Sequence, residues 1–206
     1  MIEELVLEDS KSDILLQQII KDFGISKIRL INELLDPNIK VYINIGRYDK
    51  QKGHDRLISA FERFNKQFPN SRLVIVAPYG PIKEETRSQV ANSTANENIY
   101  LFSRMNNPYT LLKMADAFVF SSYYEGLGLV VYEALALDKQ VITVNLPATI
   151  RYLNGDEVIV VDNSEQGLYE GFVSFQNGKR ANSNFSFEQY NKKTINEFEA
   201  LFDLNK

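Results

Sequence analysis

"AFVFSSYYEGLGLVVYEALALDKQVITVN", residues 117–145, holds a complete structural unit. Residues 117–121 and 140–145 are short apolar runs rich in β-branched and aromatic side chains, and residues 129–137 between them are apolar except for Glu133. Two short apolar runs of strand length around a helical one predict a βαβ unit with parallel strands. A loop carrying Glu125, Gly126 and Gly128 joins the first strand to the helix. The unit therefore places two acids and a Gly-rich turn where a strand hands over to a helix.

The same alternation extends in both directions. "VYINIG" (41–46), "RLVIVA" (72–77), "NIYLF" (98–102) and "EVIVVD" (157–162) are four further runs of this kind, and they are near-continuously apolar, as strands covered on both faces are. Leu57, Ile58, Phe61, Phe64 and Phe68 share one face of the helical stretch "HDRLISAFERFNKQF". "KEETRSQVANSTA" is a polar helical segment, while "PYTLLKMA" and "GLVVYEALAL" are shorter ones. Right-handed crossovers turn this pattern into an α/β fold, a doubly wound, Rossmann-like parallel sheet of about six strands. Residues 1–38 read as a helical flank or linker from a preceding domain, with Leu16, Ile19, Ile20 and Phe23 at helical spacing. Residues 39–206 form the Rossmann-like domain. "GLYEGFVSFQNGKRANSNFS" reads as a helix and then a polar loop, and a long C-terminal helix follows over 187–204.

Bulk composition narrows the function. The chain has 206 residues and a net charge of −4, so it carries no electrostatic footprint for nucleic acid and no polybasic block for anionic lipid. It has no cysteine, which excludes disulfides and thiolate metal sites, and its one histidine, His54, excludes a histidine-rich metal cluster. The acidic start is unlike a signal peptide and no stretch reaches membrane-span length, so a cytoplasmic protein without a direct membrane span is expected.

Two loops at strand carboxyl ends carry chemistry, because ligands of doubly wound sheets bind there. In "NIGRYDKQKGHDRL" (44–57), strand 41–46 runs into Gly46, Arg47, a polar loop, Lys52, Gly53 and a helix. Glycine lets a ligand approach the backbone, a helix start offers free amides, and an Arg fork with a Lys point charge suits a diphosphate. A solvated basic loop is the plainer alternative, and spacing alone does not choose. In "SSYYEGLGL" (121–129), glycines expose backbone N–H groups at the positive end of a helix. Glu133, about one turn into that helix, needs a cation or hydroxyl donors, since an isolated buried carboxylate is costly. A ribose diol offers two such donors, and Glu125 can accept from the hydroxyls of a sugar. A structural Lys or Arg beside Glu133, with Glu125 facing water, is the alternative. Both loops fall on one edge of one sheet, which favours a single ligand bearing phosphate and hydroxyls together. Tyr123 and Tyr124 are read as packing at the strand end, and His54 as structural or solvent-facing.

These residues resemble the nucleotide-sugar-binding half of a GT-B retaining glycosyltransferase of glycosyltransferase family 4. That family's Gly-Arg, four residues, Lys-Gly signature is here Gly46-Arg47, "YDKQ", Lys52-Gly53, and its two glutamates separated by seven residues are Glu125 and Glu133. The resemblance runs from about residue 41 to 162. More narrowly, "INIGRYDKQKGHDRLISAFERF", "NPYTLLKMADAFVFSSYYEGLGLVVYEAL", "DNSEQGLYEGF" and "FSFEQYNKKTINEFEALF" resemble the C-terminal glycosyltransferase-like portion of Gram-positive wall teichoic acid and related glycerophosphotransferase proteins.

The resemblance implies that Arg47 and Lys52 hold the donor diphosphate and stabilise charge on the leaving group, with Gly46 beside them. It implies that Glu133 accepts from ribose hydroxyls, and that Glu125, with the amides around Gly126, Leu127, Gly128 and Leu129, grips the transferred sugar. Ser103, Arg104 and Met105 stand where the family's base-contacting loop lies. No metal is implied, because Arg and Lys replace it, and no cofactor beyond a nucleoside-diphosphate sugar as donor substrate. Three departures stand out. Ser103 and Asp138 occupy family glycine positions, the second a helix end where the change is harmless. "LPATIRYL" (146–153) lacks the acidic residue that commonly follows the fifth strand.

A GT-B enzyme needs two Rossmann-like domains, and residues 1–40 cannot supply one. The expected protein is thus the donor-binding domain of a retaining hexosyltransferase. Its expected partners are a nucleotide-sugar donor, a glycan or teichoic acid acceptor, and a missing N-terminal acceptor-binding domain without which the fragment is inactive. Through that full-length protein it would sit at the inner membrane face. A non-catalytic docking or polymer-binding module of a teichoic acid synthesis protein is the alternative. A phosphorylase-like enzyme would need a pyridoxal-bearing lysine, for which no residue stands out.

Overall fold

The six apolar runs become six strands: β1 Lys40–Ile45, β2 Ser71–Val76, β3 Ile99–Phe102, β4 Ala117–Phe120, β5 Gln140–Val144 and β6 Ile159–Val161. The computed structural model describes residues 28–203 apart from 104, 106, 154–155 and 183–184, and the side chains of that span except those of residues 28, 198 and 201–203. The helical spacing expected around Leu16 to Phe23 lies outside the described residues. All pairings are parallel, in the order β3-β2-β1-β4-β5-β6. This is the doubly wound order, in which the winding reverses between β1 and β4. Strands β2 and β4 are buried along their whole length, β2 including Ser71 and Arg72 at its start.

The helices are α1 Ile28–Leu35, α2 His54–Gln67, α3 Lys83–Asn92, α4 Tyr109–Met114, α5 Leu129–Ala136, α6 Pro147–Ile150, α7 Glu165–Gln176 and α8 Phe187–Asp203. Helix α2 buries Leu57, Ile58, Phe61 and Phe64 completely, while Phe68 is partly covered. Phe64 stacks on Phe172 of α7 at 5.2 Å, and Tyr42 of β1 meets Phe172 edge-on at 4.8 Å. One aromatic cluster thus fixes α2 and α7 on the same face of the sheet. Helix α3 buries only Thr86 and Val90, which explains its polar sequence. Helix α1 covers the β1 side of the sheet through Leu30 and Ile31, and its Glu33 carboxylate accepts from Arg72, Arg29 and the Tyr100 hydroxyl at 2.9, 2.9 and 2.7 Å. Those three donors outweigh burial and hold Glu33 below the usual carboxylate range.

Helix α5 buries Val131, Tyr132, Ala134 and Leu135, and leaves Val130 and Glu133 half-buried. Its last turn closes with two amide bonds, Asp138 to the Leu135 carbonyl and Lys139 to that of Ala134, at 2.9 and 3.0 Å. This Schellman closure requires a left-handed residue, and Asp138 supplies it at φ 55°. Helix α7 ends the same way with Gly178 at φ 96°. Two lysines cap each other's helices: Lys139 Nζ donates to the carbonyls of Lys113 and Ala115, and Lys113 Nζ to that of Leu137.

The seam between β1 and β4 is built differently. Only Tyr42–Ala117 and Ile43–Phe118 are paired in register. Beyond them the buried Asn44 side chain takes over, its Nδ2 donating to the Val119 carbonyl at 2.8 Å. That leaves Asn44 Oδ1 to accept from His54 Nε2 at 3.0 Å, so Nε2 carries the proton and the ring is the neutral tautomer. His54 is completely buried, and burial lowers its pKa to about 4, with the Lys52 charge adding to the shift and Asp55 opposing it. Arg56, also buried, donates to the carbonyls of Ser121 and Ser122 and to Asn163 Oδ1, at distances from 2.6 to 3.0 Å.

Two outcomes follow from these contacts. The unfolded chain protonates His54 near pH 6.5 and the folded protein only near 4, so stability is full above pH 6.5 and falls between those values by about 3 kcal/mol. Urea unfolding between pH 7 and 4.5 will therefore show a steeper loss for the wild type than for His54→Gln; parallel profiles would refute a neutral buried imidazole. Separately, Asp138→Gly relieves a left-handed non-glycine residue and will raise unfolding free energy by about 0.5–1 kcal/mol. No gain in urea midpoint would show that Asp138 is unstrained.

Candidate functional site

Two glycines set the loops that follow β1 and β4. Gly53 sits at φ 63° before α2, and a Cβ there would lie 2.2 Å from the Ser121 carbonyl oxygen. Gly128 sits at φ 69° before α5, where a Cβ would lie 2.9 Å from Thr149 Oγ1 and 3.0 Å from the Phe120 ring. Both positions exclude any side chain, for sterics and for backbone conformation. Between Gly46 and Gly53 the chain makes a 3-10 turn, Lys50–Lys52, capped by Asp49, which accepts from the Gln51 amide at 3.0 Å. The two loops are joined to each other: Ser121 Oγ donates to the Lys52 carbonyl and the Tyr123 amide to that of Gln51, both at 2.8 Å.

A cleft of about 500 Å³ opens between these loops at the carboxyl edge of the sheet. Ile45 and Gly46 of the β1 end line it together with Arg47 and Lys52. Glu125, Leu127 and Gly128 line it from the β4 loop, Leu129, Val130 and Glu133 from the first turns of α5, and Pro78 from the β2 loop. The start of α5 adds positive potential at this edge, although its Val131 amide already donates to the Gly128 carbonyl at 2.9 Å. Lys52 Nζ lies 2.5 Å from Glu125 Oε1, and Ser122 Oγ donates to the same oxygen at 3.0 Å. These two ionic side chains are 19% and 11% exposed. Arg47 is half exposed, and among the described residues its ion-pair contact is Asp49 at 4.0 Å. Among the described residues no lysine or arginine lies within ion-pairing distance of Glu133; its charge acts on the nearby Tyr109 hydroxyl, whose pKa is raised by burial and then by Glu133.

The expected site residues divide as follows. Gly46, Arg47, Lys52, Glu125, Leu127, Gly128, Leu129 and Glu133 come together around one cleft. Gly126 is not among the lining residues, and a Cβ built there would stand in open space. Ser103 and Met105 follow β3, the edge strand, two strands from β1, and do not line the cleft. Arg104 lies outside the described residues. Glu133 is not sunk in the core as its apolar neighbours suggested, because α5 turns this side toward the cleft. Nor is Glu125 a water-facing acid. His54 is structural, held inside the seam. Tyr123 stacks under the Arg56 guanidinium at 4.0 Å and donates to Asp55, but Tyr124 is 65% exposed and does not pack at the strand end. Sequence reading missed Pro78, Ser122 and Tyr109. Pro78 was findable, since it follows β2 at the same edge; the other two act through side chains whose proximity no spacing reveals. The segment after β5 places Thr149 beneath Gly128 and contributes nothing to the cleft lining. No group of three or more His, Asp or Glu side chains gathers to hold a metal ion among the described residues.

Residues 29–194 match the family model described as glycosyl transferases group 1. An uncharacterised glycosyltransferase of Methanocaldococcus jannaschii is 32% identical over 161 residues, which is 78% of this chain and 39% of that protein. The N-acetylgalactosamine-N,N'-diacetylbacillosaminyl-diphospho-undecaprenol 4-alpha-N-acetylgalactosaminyltransferase of Campylobacter jejuni is 29% identical over 187 residues, 82% of this chain and 49% of that one. The chain thus spans half or less of the length of these relatives. In fold it is similar to the C-terminal domain of a glycosyl transferase group 1 family protein from Francisella tularensis, with a TM-score of 0.60 and 23% identity over 71% of this chain and 81% of the other. A doubly wound parallel sheet and a family match across most of its length lead to one statement: this chain belongs to the glycosyl transferases group 1 family.

Proposed function

We propose that the cleft binds a nucleoside-diphosphate sugar, and that the chain is the donor-binding domain of a retaining glycosyltransferase of family 4 type. The observation that carries this reading is the convergence of Arg47, Lys52, Glu125 and Glu133, far apart in sequence, on one cleft at the sheet's switch point. Arg47 and Lys52 neutralise the diphosphate and the charge that grows on it as the sugar leaves, an electrostatic contribution that requires no metal. Glu133, free of any cation among the described residues, accepts from the ribose hydroxyls. Glu125 and the α5 first-turn amides hold the transferred hexosyl group.

The acceptor is a glycan or a teichoic-acid-type polymer, held by a second domain of the same protein. The name of the Campylobacter relative, a sugar transfer onto a diphospho-undecaprenol-linked glycan, supports an acceptor of this class. Transfer takes place on the cytoplasmic side, with the full-length protein peripheral at the membrane. Among the described residues no helix is long and apolar enough to cross a bilayer.

The test is calorimetric titration with UDP, GDP, ADP and CDP and their hexosyl conjugates. At least one nucleotide sugar will bind, and Arg47→Ala will weaken it by about ten- to a hundredfold, as expected for a lost charge-assisted hydrogen bond. A chain that binds none of them at millimolar concentration is not a donor-binding domain.

A further inference from the structure

We propose that the Lys52–Glu125 ion pair makes the cleft favour an intact nucleotide sugar over the nucleoside diphosphate left after transfer. This rests on the donor-binding reading above and deepens it. The cation that would take the diphosphate and the acid that would take the sugar are not waiting separately: they hold each other at 2.5 Å. The two cations therefore have unequal roles. Arg47 is half exposed and its ion-pair contact among the described residues is the distant one to Asp49, so it is open to an arriving diphosphate. Lys52 lines the cleft but is already paired, so a diphosphate that draws on its charge competes with Glu125 for it.

The consequence falls on the carboxylate. Glu125 is 11% exposed, and once Lys52 turns away the donor known to remain is the Ser122 hydroxyl at 3.0 Å. A largely desolvated charge that loses its cation is unfavourable unless new donors arrive. A nucleotide sugar brings them, because its hexose is bonded to the same phosphate that captures Lys52. One molecule thus satisfies both halves of the broken pair. A free nucleoside diphosphate satisfies only Lys52, offers no hydroxyl on that side, and brings an additional negative charge on its terminal phosphate toward the unpaired acid. Binding of the product is penalised where binding of the donor is compensated, which also speeds release after each transfer.

The experiment compares the wild type, Glu125→Gln, Lys52→Met and the double variant by calorimetry. The probes are inorganic pyrophosphate, the four nucleoside diphosphates and their hexosyl conjugates. Glutamine keeps the shape of Glu125 but releases Lys52 and removes the orphaned charge. Glu125→Gln will bind the nucleoside diphosphate and pyrophosphate at least tenfold more tightly than the wild type, and the preference for the sugar conjugate will shrink by a similar factor. That gain will vanish in the Lys52→Met background. If Glu125→Gln does not unfold cooperatively, Ser122→Ala serves instead. It removes the remaining donor, so the preference for the sugar conjugate will rise. Unchanged or weaker nucleoside diphosphate binding by Glu125→Gln, in a protein whose wild type binds the conjugate, overturns the discrimination and leaves the donor-binding reading intact. Failure of every variant to bind any probe overturns the donor-binding reading, and this inference with it.

Discussion

Strands β1 and β4 are paired in register over two residues only, and beyond them the sheet is held by side chains. Neighbouring strands at a switch point send their helices to opposite faces, so their carboxyl ends must part. Asn44 reaches across the gap to Val119, His54 completes Asn44, and Arg56 ties the end of β4 to α2 by bonds to Ser121 and Ser122. Without these bridges the two loops would have no fixed separation, and the cleft between them would have no fixed shape. The neutral state of His54 belongs to the same device: a charged imidazole there would lie buried with no counter-ion among the described residues close enough to bond it.

The cleft inherits its electrostatics from this geometry. Gly53 and Gly128 bring two helix starts to the same edge, and the Ser121 carbonyl at one and the Thr149 and Phe120 side chains at the other leave no room for a Cβ. The Lys52 ammonium is thereby brought against Glu125, while Arg47 stays open to solvent. Opposite charges in one small, partly desolvated space pair with each other when no ligand separates them. The ligand proposed above, anionic at one end and hydroxylated at the other, would separate this pair and satisfy both of its members.

Much of this was legible in the chain. The six strands were readable because strands covered on both faces admit few polar residues, and all six lie within two residues of their expected bounds. The aromatic face of α2 was readable by its helical period. Periodicity along α5 does not separate core from cleft, because its apolar residues line both, and the carboxylate of Glu133 was the mark of the cleft side. The base-contacting loop expected at Ser103 and Met105 was placed by resemblance; it follows β3 at the edge of the sheet, and neither of these two residues is among those lining the cleft.

Local patterning by itself determined the element types, the parallel sheet, and which residues bear chemistry at strand ends, because these follow from periods of two and 3.6 and from glycine placement. Only the tertiary structure decided how those residues meet. That Lys52 faces Glu125, that Glu133 has Tyr109 and no described cation, and that His54 is locked away from the cleft depend on distances between segments some 10 to 80 residues apart. Such distances are set by how helices pack on a twisted sheet, and no spacing along the chain encodes them.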